Sequence, residues 1–257
     1  MRYLQEQCRL LHKAEIADGI YNFTVSAPQI ARLASIGQFV NLLCDGFQLR
    51  RPISLCGFDA ELGVIRLVFE IRGKGTAWLA GLQDGDPLDI VGPLGHGFPL
   101  KDASQKAILV GGGIGVPPLL PLARHFGRNA TVITGFRNAS AAILQDDIAA
   151  CSAKAVLCTD DGSAGFHGFT TQALADHLDK HSCDVIYTCG PKIMMKLVAD
   201  IARERKIPCY VSMEERMGCG VGACLGCVCK TKDGDKVKHT RVCLNGPVFT
   251  AEEVDWS

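Results

Sequence analysis

Four cysteines near the C-terminal end have the most specific spacing in the chain. Cys219 and Cys224 are separated by four residues, Cys224 and Cys227 by two, and Cys243 follows after fifteen more. Cys-x4-Cys-x2-Cys…Cys is the spacing of plant-type [2Fe–2S] sites, in which three thiolates on one tight loop and a distant fourth enclose the cluster. Gly218, Gly220, Gly222 and Gly226 let that loop wrap closely and aim backbone N–H groups at sulfur. A structural zinc site takes the same four thiolates, although zinc usually pairs two Cys-x2-4-Cys knuckles and one is present here. A dithiol redox pair would open a helix after a strand, and a Rieske centre would need two histidines. Cys229 is a spare thiol outside the pattern.

A second pattern is Ile108–Pro118, ILVGGGIGVPP. An apolar run meets Gly111, Gly113 and Gly115 and then two prolines, which reads as a strand, a turn and a helix start. Backbone N–H groups there face a dinucleotide pyrophosphate, and the helix dipole helps hold it. Pro118 stands where the third glycine of G-x-G-x-x-G belongs, and a plain strand-to-helix turn has the same pattern. CTDDGS and TCGP close two further apolar runs, and open parallel sheets bind ligands beyond the carboxyl ends of their strands. Asp160 and Asp161 at the first end can accept from a ribose 2′-hydroxyl and repel a 2′-phosphate, favouring NAD over NADP, or simply form an acidic turn. Cys189, Gly190 and Pro191 form the second end, where the thiol either faces a nicotinamide or packs. No Walker A sequence occurs.

The elements that must position these residues change character along the chain. Up to about residue 100, short runs such as YNFTVS, GQFVNLLC, GVIRLVFEI and PLDIVG are set off by Gly, Asp and Pro, the texture of a small antiparallel barrel. From 101 to 210, apolar runs alternate with helical stretches, which indicates βαβ units and a parallel sheet. Residues 211–257 are rich in Cys and Gly and too few for a core of their own, so a metal centre is expected to hold them. The expected class is therefore α+β multidomain: a β-barrel at 1–100, an α/β nucleotide domain at 101–210 and a small cluster domain at 211–257.

Composition excludes several functions. Lys+Arg and Asp+Glu both number 27, so no field draws a polyanion, and nucleic acid is not an expected partner. The longest apolar run, Ala107–Ala123, holds four glycines and three prolines, a poor membrane helix, and a secretory leader is not expected because Met1–His12 has no uninterrupted apolar core. Of the 13 cysteines, the nine outside the cluster are scattered singly, several in apolar stretches, which fits a reducing cytoplasm.

Arg51-Pro-Ile-Ser54, Gly73-Lys-Gly75-Thr76, GGGIGVPP, Cys189-Gly-Pro191 and the four-cysteine loop follow one another in that order. Over essentially its whole length the chain resembles the electron-transfer (iron–sulfur and FAD) subunits of class B dihydroorotate dehydrogenase, within the wider ferredoxin-reductase family. The resemblance implies that the barrel binds FAD. By it, Arg51, Pro52, Ile53 and Ser54 hold the flavin, with the guanidinium on phosphate and the hydroxyl near the ring. Val68, Phe69 and Glu70 contact the flavin, and Gly75 and Thr76 cradle its pyrophosphate. Many relatives place an aromatic residue where Ile53 stands, so flavin stacking at that position is absent.

The resemblance further implies an electron relay with FAD between the two-electron nicotinamide and the one-electron [2Fe–2S] cluster. No residue is expected to act as a general acid or base. The implied partner is an FMN-containing catalytic subunit that converts dihydroorotate to orotate in pyrimidine biosynthesis, as a heterotetramer of two copies of each. The Gly/Cys loop and Pro247–Phe249 are the interface candidates. An NAD(P)H:ferredoxin reductase or a sulfide dehydrogenase-like subunit would use the same cofactors, and a zinc-bearing NAD-binding regulator would use none of the redox chemistry.

Overall fold

The computed structural model describes residues 3–234 and 236–257. The chain divides into two compact units, one running to Phe98 and adding Glu214–Cys229 and His239–Val248, the other containing the rest.

In the first unit six strands close an antiparallel barrel: β1 (Leu4–Ala17), β2 (Ile20–Ser26), β3 (Phe39–Leu42), β4 (Arg51–Asp59), β5 (Val64–Glu70) and β6 (Pro87–Leu94), in the order β1-β2-β5-β4-β3-β6. Period-two alternation drives the closure, because Phe23 and Val25 on β2 and Ile65 and Leu67 on β5 point inward and are fully buried. β3 and β4 pair with Leu42 opposite Arg51, Asn41 opposite Pro52 and Phe39 opposite Ser54. The RPIS segment is thus a barrel strand whose every residue has a fixed neighbour. Helix α2 (Lys74–Gly81) follows β5.

β1 and helix α1 (Pro28–Leu33) are not apparent from the sequence pattern, and one residue explains both. Glu6 occupies an inward position of β1, breaking the apolar alternation, because its carboxylate accepts the backbone N–H of Gln29 at 3.1 Å and of Ile30 at 3.0 Å. It satisfies donors that a short helix opening on Ala27-Pro28 cannot satisfy itself. Glu6→Gln removes the charge from these buried hydrogen bonds and is expected to destabilise the protein by about 1–3 kcal/mol, read as a lower urea midpoint.

The second unit is built on a sheet of β7 (Ala107–Gly112), β8 (Ala130–Phe136), β9 (Lys154–Thr159), β10 (Phe166–His167), β11 (Val185–Cys189), β12 (Cys209–Ser212) and the late β15 (Val248–Thr250). Their order is β10-β9-β8-β7-β11-β12-β15, and the pairs from β10 through β12 are parallel. All of β7 and β11 is buried, as expected of central strands covered on both faces. Helices α3 (Leu120–Phe126), α4 (Gln145–Cys151), α5 (Thr170–Leu178) and α6 (Lys192–Glu204) connect the strands. α6 buries Met195, Val198, Ala199 and Ala202, an i, i+3, i+4, i+7 stripe.

The stretch after the glycine turn does not enter an α-helix at once. Gly113–Gly115 and Pro117–Leu119 are 3-10 turns, closed by Val116 N–H to the Gly113 carbonyl and Leu119 N–H to the Val116 carbonyl. Pro117, Pro118 and Pro121 supply no N–H, so the i→i−4 ladder starts late. The remaining elements are the ribbon β13 (Val228–Asp233) and β14 (Lys236–Arg241) and the short helix α7 (Val242–Asn245). Among the described residues no helix is long and apolar enough to cross a membrane.

Candidate cofactor and cluster sites

Arg51 and Gly75 come from separate sequence motifs and meet in the barrel unit. A Cβ built on Gly75 would lie 2.0 Å from Arg51 Nε and 2.4 Å from its Cζ, so only glycine leaves the guanidinium its place. The guanidinium stacks 5.2 Å over the Phe47 ring and donates to the backbone carbonyls of Leu49 and Arg50. Thr76 closes the turn: its hydroxyl accepts from Arg72 N–H at 2.9 Å and Gly73 N–H at 3.2 Å. A planar cation beside the glycine-opened start of α2 fits a phosphate-bearing cofactor. Buried Cys44, which the sequence did not single out, donates its thiol to the Gly75 carbonyl at 3.4 Å.

Pro52 and Ser54 are half-buried on β4, whereas Ile53 packs into the barrel core. On β5, Val68 is buried and the Phe69 ring lies in the core, edge-on to Phe23 at 4.9 Å. The Phe69 side chain therefore serves the barrel, leaving its backbone as the part that can reach a ligand. Glu70 pairs with Arg72 Nε at 2.8 Å.

In the second unit the glycine turn and the Cys-Gly-Pro segment also meet. A Cβ on Gly115 would stand 2.5 Å from the Cys189 carbonyl oxygen, and one on Gly112 would stand 2.9 Å from Pro191 Cδ. Gly111, Gly113, Gly115, Cys189 and Gly190 thus share the carboxyl edge of β7 and β11. The Cys189 side chain is buried. β9 ends on the same edge, where the two aspartates take different work. Asp161 accepts from Ser163 N–H at 2.9 Å and Ser163 Oγ–H at 2.6 Å, which hold its carboxyl below the usual range. Asp160 is exposed, and its backbone N–H is tied to the Phe136 carbonyl at 3.0 Å. The Asp161 carboxylate is thus engaged within the turn, and the Asp160 carboxylate is exposed at the strand end.

The four cysteines gather as two pairs. All four are free thiols: on the outer side Cys219 accepts a hydrogen bond from the Cys224 thiol, and on the inner side the Cys243 thiol donates to Cys227, with Cys219 close enough to raise the Cys243 pKa. Cys224 is exposed, whereas Cys227 and Cys243 are buried. Backbone donors face the sulfurs: Gly222 N–H to Cys243 Sγ at 3.2 Å, Ala223 N–H to Cys219 Sγ at 3.2 Å and Cys243 N–H to Cys227 Sγ at 3.4 Å. Desolvation raises the Cys219 thiol's pKa, but the N–H groups of Val221 and Cys224, the Cys224 thiol and the Ala223 N–H outweigh it and bring it down to about 6. Burial pushes Cys243 up to about 12. An all-sulfur donor set in two pairs, ringed by N–H groups, fits a dinuclear iron–sulfur centre. Among the described residues no three His, Cys, Asp or Glu side chains surround one point that could hold a single metal ion.

Two side chains outside the loop hold its carbonyls. Asn41, on β3, donates Nδ2–H to the Cys219 carbonyl at 3.3 Å, and Arg241, ending β14, donates Nη1–H to the Gly222 carbonyl at 2.6 Å. The signal for Asn41 was a lone polar residue inside the apolar run FVNLLC; Arg241 gave none. The expectation that Pro247–Phe249 offers an interface is corrected. Val248 and Phe249 are each 8% exposed and belong to β15, so the sheet edge already uses them. In the Gly/Cys loop, by contrast, Leu225 beside exposed Cys224 is 64% exposed.

Residues 214–255 match the family model for the iron–sulfur cluster binding domain of dihydroorotate dehydrogenase B. The chain is 42% identical to the dihydroorotate dehydrogenase B (NAD(+)) electron transfer subunit of Geobacillus thermodenitrificans, over 97% of this chain and 98% of that one. It is 39% identical to the subunit of the same name from Desulforamulus reducens, over 94% of each. Among solved structures it is similar to the NADH-dependent reduced ferredoxin-NADP oxidoreductase, with a TM-score of 0.85, 31% identity and coverage of 96% of this chain and 89% of that chain.

Proposed function

The chain belongs to the family of electron transfer subunits of dihydroorotate dehydrogenase B, and we propose that it carries electrons between an FMN-containing catalytic subunit and NAD. It is an oxidoreductase subunit whose cofactors are FAD, an iron–sulfur cluster and NAD. In the pyrimidine pathway the flow runs from dihydroorotate to NAD, within an assembly of two copies of each subunit. The observation that carries this reading is the presence of the Arg51–Gly75 cradle and the paired cysteines in one compact unit.

When bound, FAD exchanges a hydride with nicotinamide and single electrons with the [2Fe–2S] centre. The chain's own residues bind and orient. Arg51 offers a planar, permanently charged fork to phosphate, and the open backbone at Gly75 lets that phosphate approach. Ser54, half-buried on β4 two residues past Pro52, presents the hydroxyl for the ring. Gly111, Gly113 and Gly115 clear backbone for the NAD pyrophosphate, and Asp160 accepts the ribose 2′-hydroxyl. Cys189-Gly190-Pro191 bounds the nicotinamide end. Cys219, Cys224, Cys227 and Cys243 hold the cluster. The three roles fall to segments 1–100, 101–210 and 211–257. The exposed tip at Cys224–Leu225 is the surface that faces the catalytic subunit.

The ferredoxin-linked relative of 31% identity favours one other reading, a reductase with ferredoxin as its acceptor. Anaerobic purification followed by NADH addition tests the relay. Flavin bands over broad iron–sulfur absorption are expected, both bleaching with NADH, and NADPH is expected to act at least about tenfold more slowly because Asp160 repels its 2′-phosphate. Co-expression with the catalytic subunit should then yield dihydroorotate-dependent NAD reduction. Ferredoxin reduction with no dihydroorotate activity would overturn the partner assignment, and zinc in place of iron and sulfide would overturn the relay.

A further inference from the structure

We propose that Arg241 and Asn41 set the redox potential of the iron–sulfur centre by gripping two peptide planes of the cysteine loop from outside it. This rests on the cluster reading above and asks which residues tune that centre.

The argument starts from the planarity of the peptide bond. In a trans peptide the carbonyl and the following N–H point in opposite directions, so holding one aims the other. The peptide joining Gly222 to Ala223 is held at both ends: its carbonyl accepts from Arg241 Nη1 at 2.6 Å, and its N–H donates to Cys219 Sγ at 3.2 Å. Arg241 and a ligand sulfur are therefore on opposite sides of one rigid plane. The adjoining plane places Gly222 N–H on Cys243 Sγ at 3.2 Å, so donors on the two sides of Gly222 face one sulfur of each pair.

Asn41 acts on the peptide joining Cys219 to Gly220. Its Nδ2–H donates to the Cys219 carbonyl at 3.3 Å, and a Cβ on Gly220 would lie 2.5 Å from that nitrogen, so glycine is what lets the amide in. The side chain is 1% exposed and its Oδ1 is buried with no hydrogen-bond partner. A polar group carried at that cost in a barrel strand, where Val40 and Leu42 are apolar, is explained by the loop it holds. Arg50 fixes the strand beneath, donating to the Asn41 carbonyl at 3.4 Å and pairing with Asp89 at 2.7 Å.

The sign follows from charge. Reduction adds one electron to the cluster, so a guanidinium within one peptide of a ligand sulfur, and N–H dipoles held toward the sulfurs, favour the reduced state. Removing either lowers the potential. Arg241→Leu removes both the charge and the grip, Arg241→Gln removes the charge and keeps a donor, and Asn41→Leu keeps the volume and loses the donor.

The test is an EPR-monitored redox titration of the anaerobically purified holoprotein, with the flavin couple as an internal reference and iron, sulfide and FAD measured on each sample. Arg241→Leu should lower the reduced-to-oxidised ratio of the cluster about tenfold at fixed poise, equivalent to about 59 mV for a one-electron couple. Arg241→Gln and Asn41→Leu should shift it by less, in the same direction, with the flavin couple unmoved. Full iron content with an unchanged cluster potential in Arg241→Leu and Asn41→Leu would overturn the proposal. Loss of iron from all three variants with normal FAD would also overturn it, by making the two residues assembly elements. A wild-type protein without iron and sulfide fails the underlying cluster reading instead.

Discussion

Cys243→Ser is expected to remove essentially all iron and acid-labile sulfide while FAD remains bound, and to cut electron transfer to the catalytic subunit by at least about 100-fold. Cys243 is the cysteine far from the loop in sequence, and the geometry shows why it is hard to replace. Its side chain is fully buried on α7, it receives the Gly222 N–H at 3.2 Å, and its own N–H donates to Cys227 Sγ at 3.4 Å. A serine oxygen is a harder and poorer ligand for an iron–sulfur centre, and its reach is shorter than that of sulfur. Cys229→Ser is the control: Cys229 lies outside the spacing pattern, so iron content should stay at the wild-type level. Retained iron and sulfide in Cys243→Ser, measured chemically and by visible absorption, would remove Cys243 from the ligand set.

The same four cysteines show how far sequence reasoning reaches. Spacing alone selected Cys219, Cys224, Cys227 and Cys243, and the fold brings these four thiols together. The barrel and the parallel sheet were equally legible, from the alternation in YNFTVS and the fully apolar run AILVG. β1 was not, since Glu6 puts a carboxylate where the alternation calls for an apolar residue, and the reason lies across the barrel at Gln29 and Ile30. β15 was not foreseen either: Pro247–Phe249 was offered as an interface candidate, yet Val248–Thr250 adds a strand beside β12. Nor could the sequence divide the work between Asp160 and Asp161, since the division is made by the Ser163 hydroxyl. The pattern that names ligands is local, while Asn41 and Arg241 contact the cysteine loop from β3 and β14, 178 positions away in the first case. Residues that hold other residues leave little trace in spacing.

Gly75→Ala is expected to weaken FAD binding by about 30- to 150-fold, the worth of a charge-assisted hydrogen bond of about 2–3 kcal/mol. The effect acts through a different residue. The added methyl would lie 2.0 Å from Arg51 Nε, and the guanidinium, at the end of a flexible side chain, is what must move. Once displaced it no longer presents its fork to the phosphate, and an ammonium could not substitute for that planar geometry. The fold itself should tolerate the change, because Gly75 lies in the first turn of α2 and alanine favours helix over glycine by about 1 kcal/mol. Affinity and stability should therefore separate. FAD titration of the flavin-depleted protein should show the loss, while the thermal midpoint of that same flavin-free protein should hold or rise. A midpoint that falls in step with affinity would mean that the methyl damages the helix rather than the cradle. The sharper check is a double-variant cycle. If Gly75→Ala acts only by moving the guanidinium, then in an Arg51→Ala background it has nothing left to displace, and the second substitution should cost no further affinity.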